Sequence, residues 1–318
     1  PDICLAGLRR LEYRGYDSAG IAVVTNKTLD QRKVVGKLDN MAEALDSTPL
    51  NGTVGIGHTR WATHGRPSHE NAHPHIDCEQ RIAVVHNGIV ENYLKLKQQL
   101  TDAGHSFHSE TDTEVLTHLV EEGMEQGLSF QDAFRRMGGM VKGSQAISAV
   151  LQGDNAEICA LRLGHAGGIV VAQADGQAII GSDLPALLPL LQAESNTGQV
   201  GFLETGEMVV VTTKGVEYKD LQGNAIEKQP RLVTQEEVLV DKAGYQHFML
   251  KEIMEQPQAV ASAMRERVNF DTKQVVLPDF PLSAQEIAEL DRVVLIGCGT
   301  SLNAALVGRH LVERFSGL

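Results

Sequence analysis

The sequence predicts an α+β fold in which packed β-sheets are covered by helices. Short β-rich runs dominate the chain up to about residue 215, and amphipathic helical patterns are fewer. These runs and patterns come in blocks and do not alternate one by one. Because strict alternation is typical of parallel βαβ sheets, the blocks favour sheets packed face to face with helices outside.

The individual elements follow from local periodicity. Eight short runs rich in β-branched and apolar residues are predicted strands: residues 20–24, 54–58, 82–85, 146–151, 158–163, 169–172, 178–182 and 208–212. Four segments with apolar residues at helical spacing are predicted helices: residues 3–11, 92–103, 112–125 and 130–140. After a polar stretch, a further helix is predicted to begin near Gln246, with Pro257 close behind its apolar residues. Residues 293–296 form a predicted buried strand that leads into an apolar helix.

Composition and charge weigh against nucleic-acid and membrane functions. A formal net charge of −13 over 318 residues, without a basic cluster, argues against a nucleic-acid partner. No apolar stretch approaches the roughly 20 residues that span a bilayer. Charged residues between Arg9 and Arg14 interrupt any apolar leader. Four widely spaced cysteines without a C-x-x-C pair favour reduced thiols and a cytoplasmic location.

The histidines do not predict a metal site. His73 and His75 flank Pro74, but no cysteine or carboxylate lies at a spacing that completes a ligand set. His105 and His108 are predicted to be exposed in the connector after the helix at residues 92–103. We therefore expect neither a metal nor a cofactor.

The most informative block is residues 58–65, HTRWATHG, which holds the chain's only tryptophan. Arg60 offers a planar fork of donors suited to a carboxylate, which favours an amino acid or organic acid as ligand. The alternative is a strand end at which Arg60 is solvated and Trp61 fills a gap in the core.

Two downstream motifs have both a chemical and a purely structural interpretation. Asn87-Gly88 follows a predicted strand, where its amide donors could converge on an oxyanion, but Asn-Gly is also the commonest hairpin turn. Thr111 is predicted to be an N-cap with Glu114 as its capping-box partner, which places Asp112 in the first helical turn. An acidic residue there favours the helix dipole, or it holds a positively charged ligand group.

Together these motifs resemble the glutaminase domain of the glutamine–fructose-6-phosphate aminotransferase family. The resemblance rests on residues 60–65 (RWATHG), 86–88 (HNG), 111–113 (TDT) and 11–20 (LEYRGYDSAG), and it continues to the last residues. It implies a four-layer αββα N-terminal-nucleophile sandwich, followed by the start of an α/β sugar isomerase domain.

The resemblance also implies how glutamine is held. Arg60 would pair with the carboxylate of glutamine, and Asp112 would hold its α-ammonium group. Thr63 and His64 would help to line the same pocket.

Further roles follow from the same resemblance. Asn87 and Gly88 would form the oxyanion hole. Trp61 would sit on a mobile loop that closes the pocket and gates ammonia, and Arg14 would lie close to the nucleophile. His73 would sit on a loop that faces the sugar domain.

The nucleophile is the one departure from the family pattern. In the family it is a cysteine at the mature N-terminus, whose own α-amine, with a pKa of roughly 8, serves as base. Residues 1–5, PDICL, align with the family's first helix, which follows the N-terminal strand that begins with this cysteine. Cys4 is predicted to be a small core residue. The chain as given is expected to bind glutamine weakly at most and to hydrolyse none.

A second ligand loop is predicted at residues 297–301, GCGTS. A buried strand, a glycine-rich turn and a helix start expose N–H groups to a phosphate, and Thr300 and Ser301 add hydroxyls. The loop is similar to the first phosphate-binding loop of sugar isomerase domains. The alternative is an ordinary strand-to-helix turn capped by Ser301. The evidence for a dinucleotide-binding fold is weak, because Leu302 stands where that motif has its third glycine. Residues after about 285 are expected to be poorly ordered in isolation.

The expected organisation is a glutaminase domain at residues 1–236, a linker at 237–247 and the first part of a sugar isomerase domain at 248–318. The complete protein would transfer ammonia from glutamine to fructose 6-phosphate, in the cytoplasm and as a homodimer. Two alternatives are another N-terminal-nucleophile amidotransferase, of purine or asparagine synthesis, and a non-catalytic sensor of glutamine or phosphosugar.

Overall fold

The computed structural model describes residues 1–62, 64–174, 176–187, 197–234, 245–265, 267–269, 272–275 and 280–318. By its internal contacts the chain divides into two units, Pro1–Asp241 and Lys242–Leu318. Thr63 and most of the predicted linker lie outside the described residues. Within the described part, no helix is both long enough and apolar enough to cross a membrane.

The first unit begins with two helices on a three-stranded antiparallel sheet. Its elements are α1 (Asp2–Arg9), β1 (Ser18–Thr25), β2 (Thr28–Val35), α2 (Leu38–Ser47) and β3 (Val54–Arg60). Strand β1 lies between β2 and β3. The apolar faces of both helices bury a core that includes Leu8, Ile21, Val23, Leu38 and Met41.

Ten further strands form two more antiparallel sheets. They are β4 (His75–Ile76), β5 (Ile82–Gly88), β6 (Gln145–Leu151), β7 (Glu157–Leu163), β8 (Val170–Ala174), β9 (Gln177–Gly181), β10 (Thr197–Phe202), β11 (Glu207–Thr212), β12 (Gly215–Asp220) and β13 (Arg231–Thr234). The larger sheet has the order β12-β11-β7-β6-β5-β4, and the smaller one has the order β13-β10-β8-β9.

Three helices cover one face of the six-stranded sheet: α3 (Tyr93–Ala103), α4 (Glu114–Glu125) and α5 (Phe130–Met140). Alternate strand residues point at these helices and form the largest core, which includes Val84, Leu116, Phe134, Met137, Ile147 and Leu161. Because strand side chains alternate, the remaining apolar residues lie on the opposite face of the sheet.

That opposite face packs against the two smaller sheets. Ala83, Val85 and Val150 contact Ala22 and Ile56 of the three-stranded sheet. Ala146, Ala160 and Val209 pack with Ile169 and Val171 beside the four-stranded sheet. Two layers of sheet therefore lie between two layers of helix, so the predicted αββα sandwich is confirmed.

The eight predicted strands and four predicted helices of this unit are all present, with shifted ends. Strands β2, β4, β10, β12 and β13 were not predicted. Strand β4 has only two residues, and the other four carry polar residues or glycine without a clear alternation of apolar and polar positions. Thr111 is not an N-cap, and the prediction of a capping box was wrong: α4 begins at Glu114 after Thr113, without a side-chain cap.

The second unit contains helices α6 (Phe248–Met264), α7 (Ala284–Ala288) and α8 (Thr300–Ser316), and a short hairpin of β14 (Val268–Asn269) and β15 (Gln274–Val275). The helix predicted to begin near Gln246 is present as α6, and it continues through Pro257. The prediction of a buried strand at residues 293–296 was also wrong. These residues have no strand partner in the described part of the chain, and Ile296 is 93% exposed.

Truncation of the largest buried aromatic side chain should test the core under α5. Phe134 is fully buried against the six-stranded sheet. Phe134→Ala is expected to lower the free energy of unfolding by about 3–5 kcal/mol, because lost apolar burial and a residual cavity add. The free energy of unfolding is measured by denaturant titration, with circular dichroism as the signal. Leu94→Ala on α3, which is 69% exposed, is the control and should stay within about 0.5 kcal/mol of wild type.

Candidate active site

Arg60 is the last residue of β3, where it pairs in register with Ser18 of β1, and it is only 4% exposed. Its Nη2 donates to the backbone carbonyls of His64 and Gly65, so the loop after β3 folds back over the guanidinium. Its Nη1 is buried and has no hydrogen-bond partner among the described residues. Because an unpaired buried donor is costly, this atom marks a place for an anionic ligand group.

Asn71 holds the loop after β3 against the segment that precedes α4. Its Nδ2 donates to the Arg66 carbonyl at 2.9 Å and to the Glu110 carboxylate at 3.1 Å, and its Oδ1 accepts from the Glu110 N–H at 2.9 Å. Gly65 has a positive φ of 73°, and a Cβ there would approach Asn71 Nδ2 to 2.7 Å, so only glycine fits. Sequence analysis missed Asn71, because a single buried asparagine has no pattern.

Asp112 lies two residues before α4, so its predicted place in the first helical turn was wrong. It is buried, and its Oδ2 accepts from the Val90 N–H at 2.7 Å. Burial lowers the pKa of Arg60, while the negative charges of Asp17 and Asp112 act in the opposite direction. The Arg60 guanidinium and the Asp112 carboxylate therefore interact electrostatically.

Glu114 fixes the segment that carries Asp112. Its carboxylate accepts from the His108 N–H at 2.8 Å and from the Ser109 N–H and hydroxyl at 2.7 Å. Burial raises the pKa of Glu114, but the contact with His118 and these hydrogen bonds outweigh it and lower the pKa to about 2. Thr111, which does not cap the helix, instead places its Oγ1 3.0 Å from His75 Nε2.

Asn87 and Gly88 end β5 and pair with Ala146 and Gln145 of β6. They do not form a hairpin turn, since the chain continues from β5 into α3. A Cβ at Gly88, where φ is 147°, would lie 2.4 Å from the Ser144 carbonyl, so the close approach requires glycine. The Asn87 side chain is exposed at this strand end.

His86 ties the end of β5 to the start of α4. Its Nε2 lies 2.5 Å from Gln145 Oε1, and its Nδ1 lies 2.9 Å from Thr113 Oγ1. Gln145 uses its amide nitrogen to donate to two backbone carbonyls, so its oxygen accepts from His86. Burial lowers the pKa of His86, which keeps the ring neutral, and Nδ1 accepts from the Thr113 hydroxyl.

Trp61 and Arg14 lie together at the exposed rim. Trp61 is 67% exposed, and its indole lies 2.8 Å from the position of a Cβ at Gly15. Arg14 donates to Ser182 Oγ at 2.8 Å and forms an ion pair with Asp183 at 2.7 Å. The indole therefore packs on the surface against a glycine and does not fill a gap in the core.

The other two loop histidines are placed differently from each other. His64 lies edge-on to Tyr93 with ring centroids 5.7 Å apart. His73 is buried, with its ring 4.5 Å from that of His58 and 4.9 Å from that of His75. Burial lowers the pKa of His73 well below its usual value. His73 therefore packs inside the first unit and is not part of an exposed face, contrary to the expectation for a residue facing another domain.

Thr300 and Ser301 begin α8 in the second unit, with exposed side chains. The residue before them, Gly299, has a φ of 57°. Neither hydroxyl caps the helix, so the interpretation of Ser301 as a simple cap is wrong. Both hydroxyls are therefore exposed beside the N–H groups at the N-terminus of α8.

Comparison with known proteins identifies the class that this fold and site define. Residues 18–222 match the model of the glutamine amidotransferase domain. Among solved structures, a glutamine phosphoribosylpyrophosphate amidotransferase from Bacillus subtilis aligns with a TM-score of 0.60 at 24% identity, covering 71% of this chain and 47% of that one. The chain belongs to the glutamine amidotransferase family.

Curated relatives narrow the comparison. Glutamine–fructose-6-phosphate aminotransferase (isomerizing) of Zymomonas mobilis is 42% identical over 98% of this chain and 49% of its own length. A protein of the same name from Thermus thermophilus is 45% identical over 100% of this chain and 50% of its own length. These relatives confirm the resemblance predicted from the motifs. The chain spans about half the length of the curated relatives it matches.

The carboxylate of Glu114 should make stability depend on pH in the acid range. Because its folded-state pKa of about 2 lies below the ordinary value of 4.5, it contributes stability that is complete above pH 4.5 and is lost as the pH falls through about 2. Glu114→Gln is expected to lower the free energy of unfolding by up to about 3 kcal/mol near neutral pH. The difference from wild type should shrink as the pH is lowered.

Urea titrations of wild type and Glu114→Gln between about pH 6 and pH 3 measure this difference. Glu43→Gln, an exposed change on α2, is the control and should alter the free energy of unfolding little at any of these pH values. A constant difference between wild type and Glu114→Gln across the series would contradict the prediction.

Proposed function

We propose that the complete protein is a glutamine–fructose-6-phosphate aminotransferase. It hydrolyses glutamine and passes the ammonia to fructose 6-phosphate, giving glucosamine 6-phosphate and glutamate. The glutaminase half of this proposal rests on the buried guanidinium of Arg60, which has one nitrogen without a hydrogen-bond partner among the described residues and interacts electrostatically with Asp112. Such a pair of opposite charges suits the two charged groups of a free amino acid.

Glutamine is placed by its two charged ends. Its carboxylate accepts from Arg60 Nη1, and its α-ammonium group pairs with the oxygen of Asp112 that Val90 does not use. The family resemblance assigns Thr63 and His64 to the lining of this pocket, and His64 lies on the loop that folds over Arg60. Held at both charged ends, the ligand presents its side-chain amide in one direction.

The chemistry at that amide needs a thiolate and an oxyanion hole. Asn87 and Gly88, at the end of β5, stabilise the oxyanion during formation and hydrolysis of a glutamyl thioester. Burial raises the pKa of Cys4 and of Cys159, so neither is a thiolate. The nucleophile implied by the family resemblance is a cysteine at the mature N-terminus, which uses its own amine as base.

The exposed rim controls passage of ammonia. Trp61 lies over Gly15, next to Arg14, and its exposure allows it to cover the pocket when glutamine is bound. Water is then kept from the thioester until ammonia has left. The burial of His73 does not support a gating role for that residue.

The acceptor half begins in the second unit. We assign residues 1–236 to the glutaminase domain, 237–247 to a linker and 248–318 to the first part of a sugar isomerase domain. Thr300, Ser301 and the N-terminus of α8 bind the phosphate of fructose 6-phosphate. The complete enzyme acts in the cytoplasm as a homodimer, without a cofactor and without a nucleic-acid or membrane partner.

A purine-pathway amidotransferase is the second candidate, since one solved neighbour is a regulatory enzyme of purine biosynthesis and another, with a TM-score of 0.60, is the glutamine phosphoribosylpyrophosphate amidotransferase. That neighbour covers 71% of this chain, whereas the aminotransferase relatives at 42% and 45% identity cover 98% and 100% of it, including the second unit. The fact that these alignments include the second unit favours the sugar phosphate as acceptor.

Removal of either charge in the pocket should weaken binding of glutamate, the product of glutamine hydrolysis. Arg60→Ala and Asp112→Ala are each expected to cost about 1.5–3 kcal/mol, roughly 10- to 150-fold in Kd, because each breaks a charge-assisted hydrogen bond. Isothermal titration calorimetry measures the affinity. Arg60→Lys keeps the charge but loses the planar set of guanidinium donors. Its affinity for glutamate should lie between those of wild type and Arg60→Ala.

Exposed residues of matched charge serve as controls for these variants. Arg66→Ala on the same loop and Asp102→Ala on α3 should bind glutamate like wild type. Circular dichroism checks that each variant is folded. Wild-type affinity in both Arg60→Ala and Asp112→Ala would place the amino-acid site elsewhere.

The complete protein should make glucosamine 6-phosphate from glutamine and fructose 6-phosphate. Replacement of both Thr300 and Ser301 by alanine is expected to raise the KM for fructose 6-phosphate at least about tenfold while glutaminase activity persists, since the hydroxyls contact only the phosphate. A coupled product assay and a glutamate assay measure the two activities. Glutamine hydrolysis with phosphoribosylpyrophosphate as the only productive acceptor would support the purine alternative.

A further inference from the structure

Four potential metal ligands converge on one side of α4. Cys78 follows β4, His105 follows α3, and His118 and Glu121 are three residues apart on one face of α4. One ligand atom from each lies within 4.8 Å of the others. His105, His118 and Glu121 are buried, whereas Cys78 is exposed at the edge of the cluster.

The distances suit a tetrahedral ion. Cys78 Sγ lies 3.8 Å from His118 Nδ1, close to the roughly 3.5 Å that tetrahedral bonds of ~2.3 and ~2.0 Å impose. Glu121 Oε2 lies 2.8 Å from His118 Nδ1 and 2.9 Å from His105 Nδ1. Opening these two contacts by about 0.5 Å would give the spacing of zinc ligands.

The groups behind the cluster match those that orient zinc-bound histidines. His105 Nε2 lies 3.0 Å from the Glu122 carboxylate, and His118 Nε2 lies 3.9 Å from that of Glu114. The second oxygen of Glu121 accepts from the Glu79 N–H at 3.3 Å. In both histidines Nδ1 therefore faces the cluster while Nε2 faces a carboxylate, which is the usual outer-shell arrangement.

A path from solvent reaches the cluster. A cavity of about 300 Å³ is lined by Cys78 and His118 together with Asp77 and His108. An ion could enter through this cavity and meet the thiol first. An entry path, four converging ligands and a carboxylate hydrogen-bonded behind His105 are features expected of a real site. The buried Nε2 of His118, 3.9 Å from Glu114, makes no hydrogen bond within the described residues.

We propose that Cys78, His105, His118 and Glu121 form a structural zinc site. One thiolate, two imidazoles and one carboxylate suit zinc, and four protein ligands leave no open position. The ion would join the loop after β4, the connector after α3 and helix α4, and this connector also carries Asp112. The expectations of no metal and of an exposed His105 are revised, because ligands so far apart in sequence come together only in the folded chain.

Cobalt(II), which substitutes for zinc in tetrahedral sites, tests the proposal on the 318-residue chain. Titration should give visible bands of tetrahedral intensity and a near-ultraviolet sulfur-to-cobalt band, saturating at one ion per chain. Cys78→Ser should abolish the sulfur band and weaken zinc binding at least about tenfold in competition with a chromogenic chelator. Cys298→Ser, which removes the other exposed cysteine, should behave like wild type.

Thermal unfolding provides a second readout that does not depend on colour. Zinc should raise the Tm of wild type and of Cys298→Ser, and should raise that of Cys78→Ser less. Glu121→Gln, which keeps the volume of the side chain, should also reduce the shift. Cobalt bands without a sulfur component, equal zinc affinity in wild type and Cys78→Ser, or no binding by wild type would each show that the cluster is only a hydrogen-bonded charge network.

Discussion

The site depends on one constraint, which is that the guanidinium of Arg60 is buried at the end of β3 with a donor left unpaired. A charged group in such a place costs free energy unless acceptors surround it. The loop after β3 supplies two of them by folding its carbonyls over Nη2. The remaining nitrogen, Nη1, is buried without a hydrogen-bond partner among the described residues, so it costs free energy in the folded chain and is available to an anionic ligand group.

The connector between α3 and α4 is the counterpart of that loop. It has no regular structure, yet its polar groups are held by neighbours on three sides: Asn71 of the loop after β3, His75 of β4 and Glu114 of α4. His86 adds a link from β5 through Thr113. Because these contacts come from different elements, Asp112 is positioned by the sandwich as a whole and not by its own helix.

The sequence was informative where chemistry or periodicity is local. Alternating apolar residues marked most strands, and the RWATHG, HNG and TDT blocks marked Arg60, Asn87, Gly88 and Asp112. It failed where the environment decides: β2 has polar residues on both faces, and residues 293–296 are apolar but lack a strand to pair with in the described part of the chain. His105 lies in a polar connector, yet it is buried because its ring is hydrogen-bonded to the buried carboxylate of Glu121 on α4.

By itself, the sequence determined the class of fold and most of its elements. It also determined which residue types are available to bind a small charged ligand. All of these depend on spacing along the chain. Only the tertiary structure decided which of those residues share a pocket and which are buried. It brought Asn71 to Glu110, tied His86 to Gln145, and gathered Cys78 with His105, His118 and Glu121. The reason is physical: burial and hydrogen-bond partners come from neighbours in space, and packing of distant segments sets which neighbours those are.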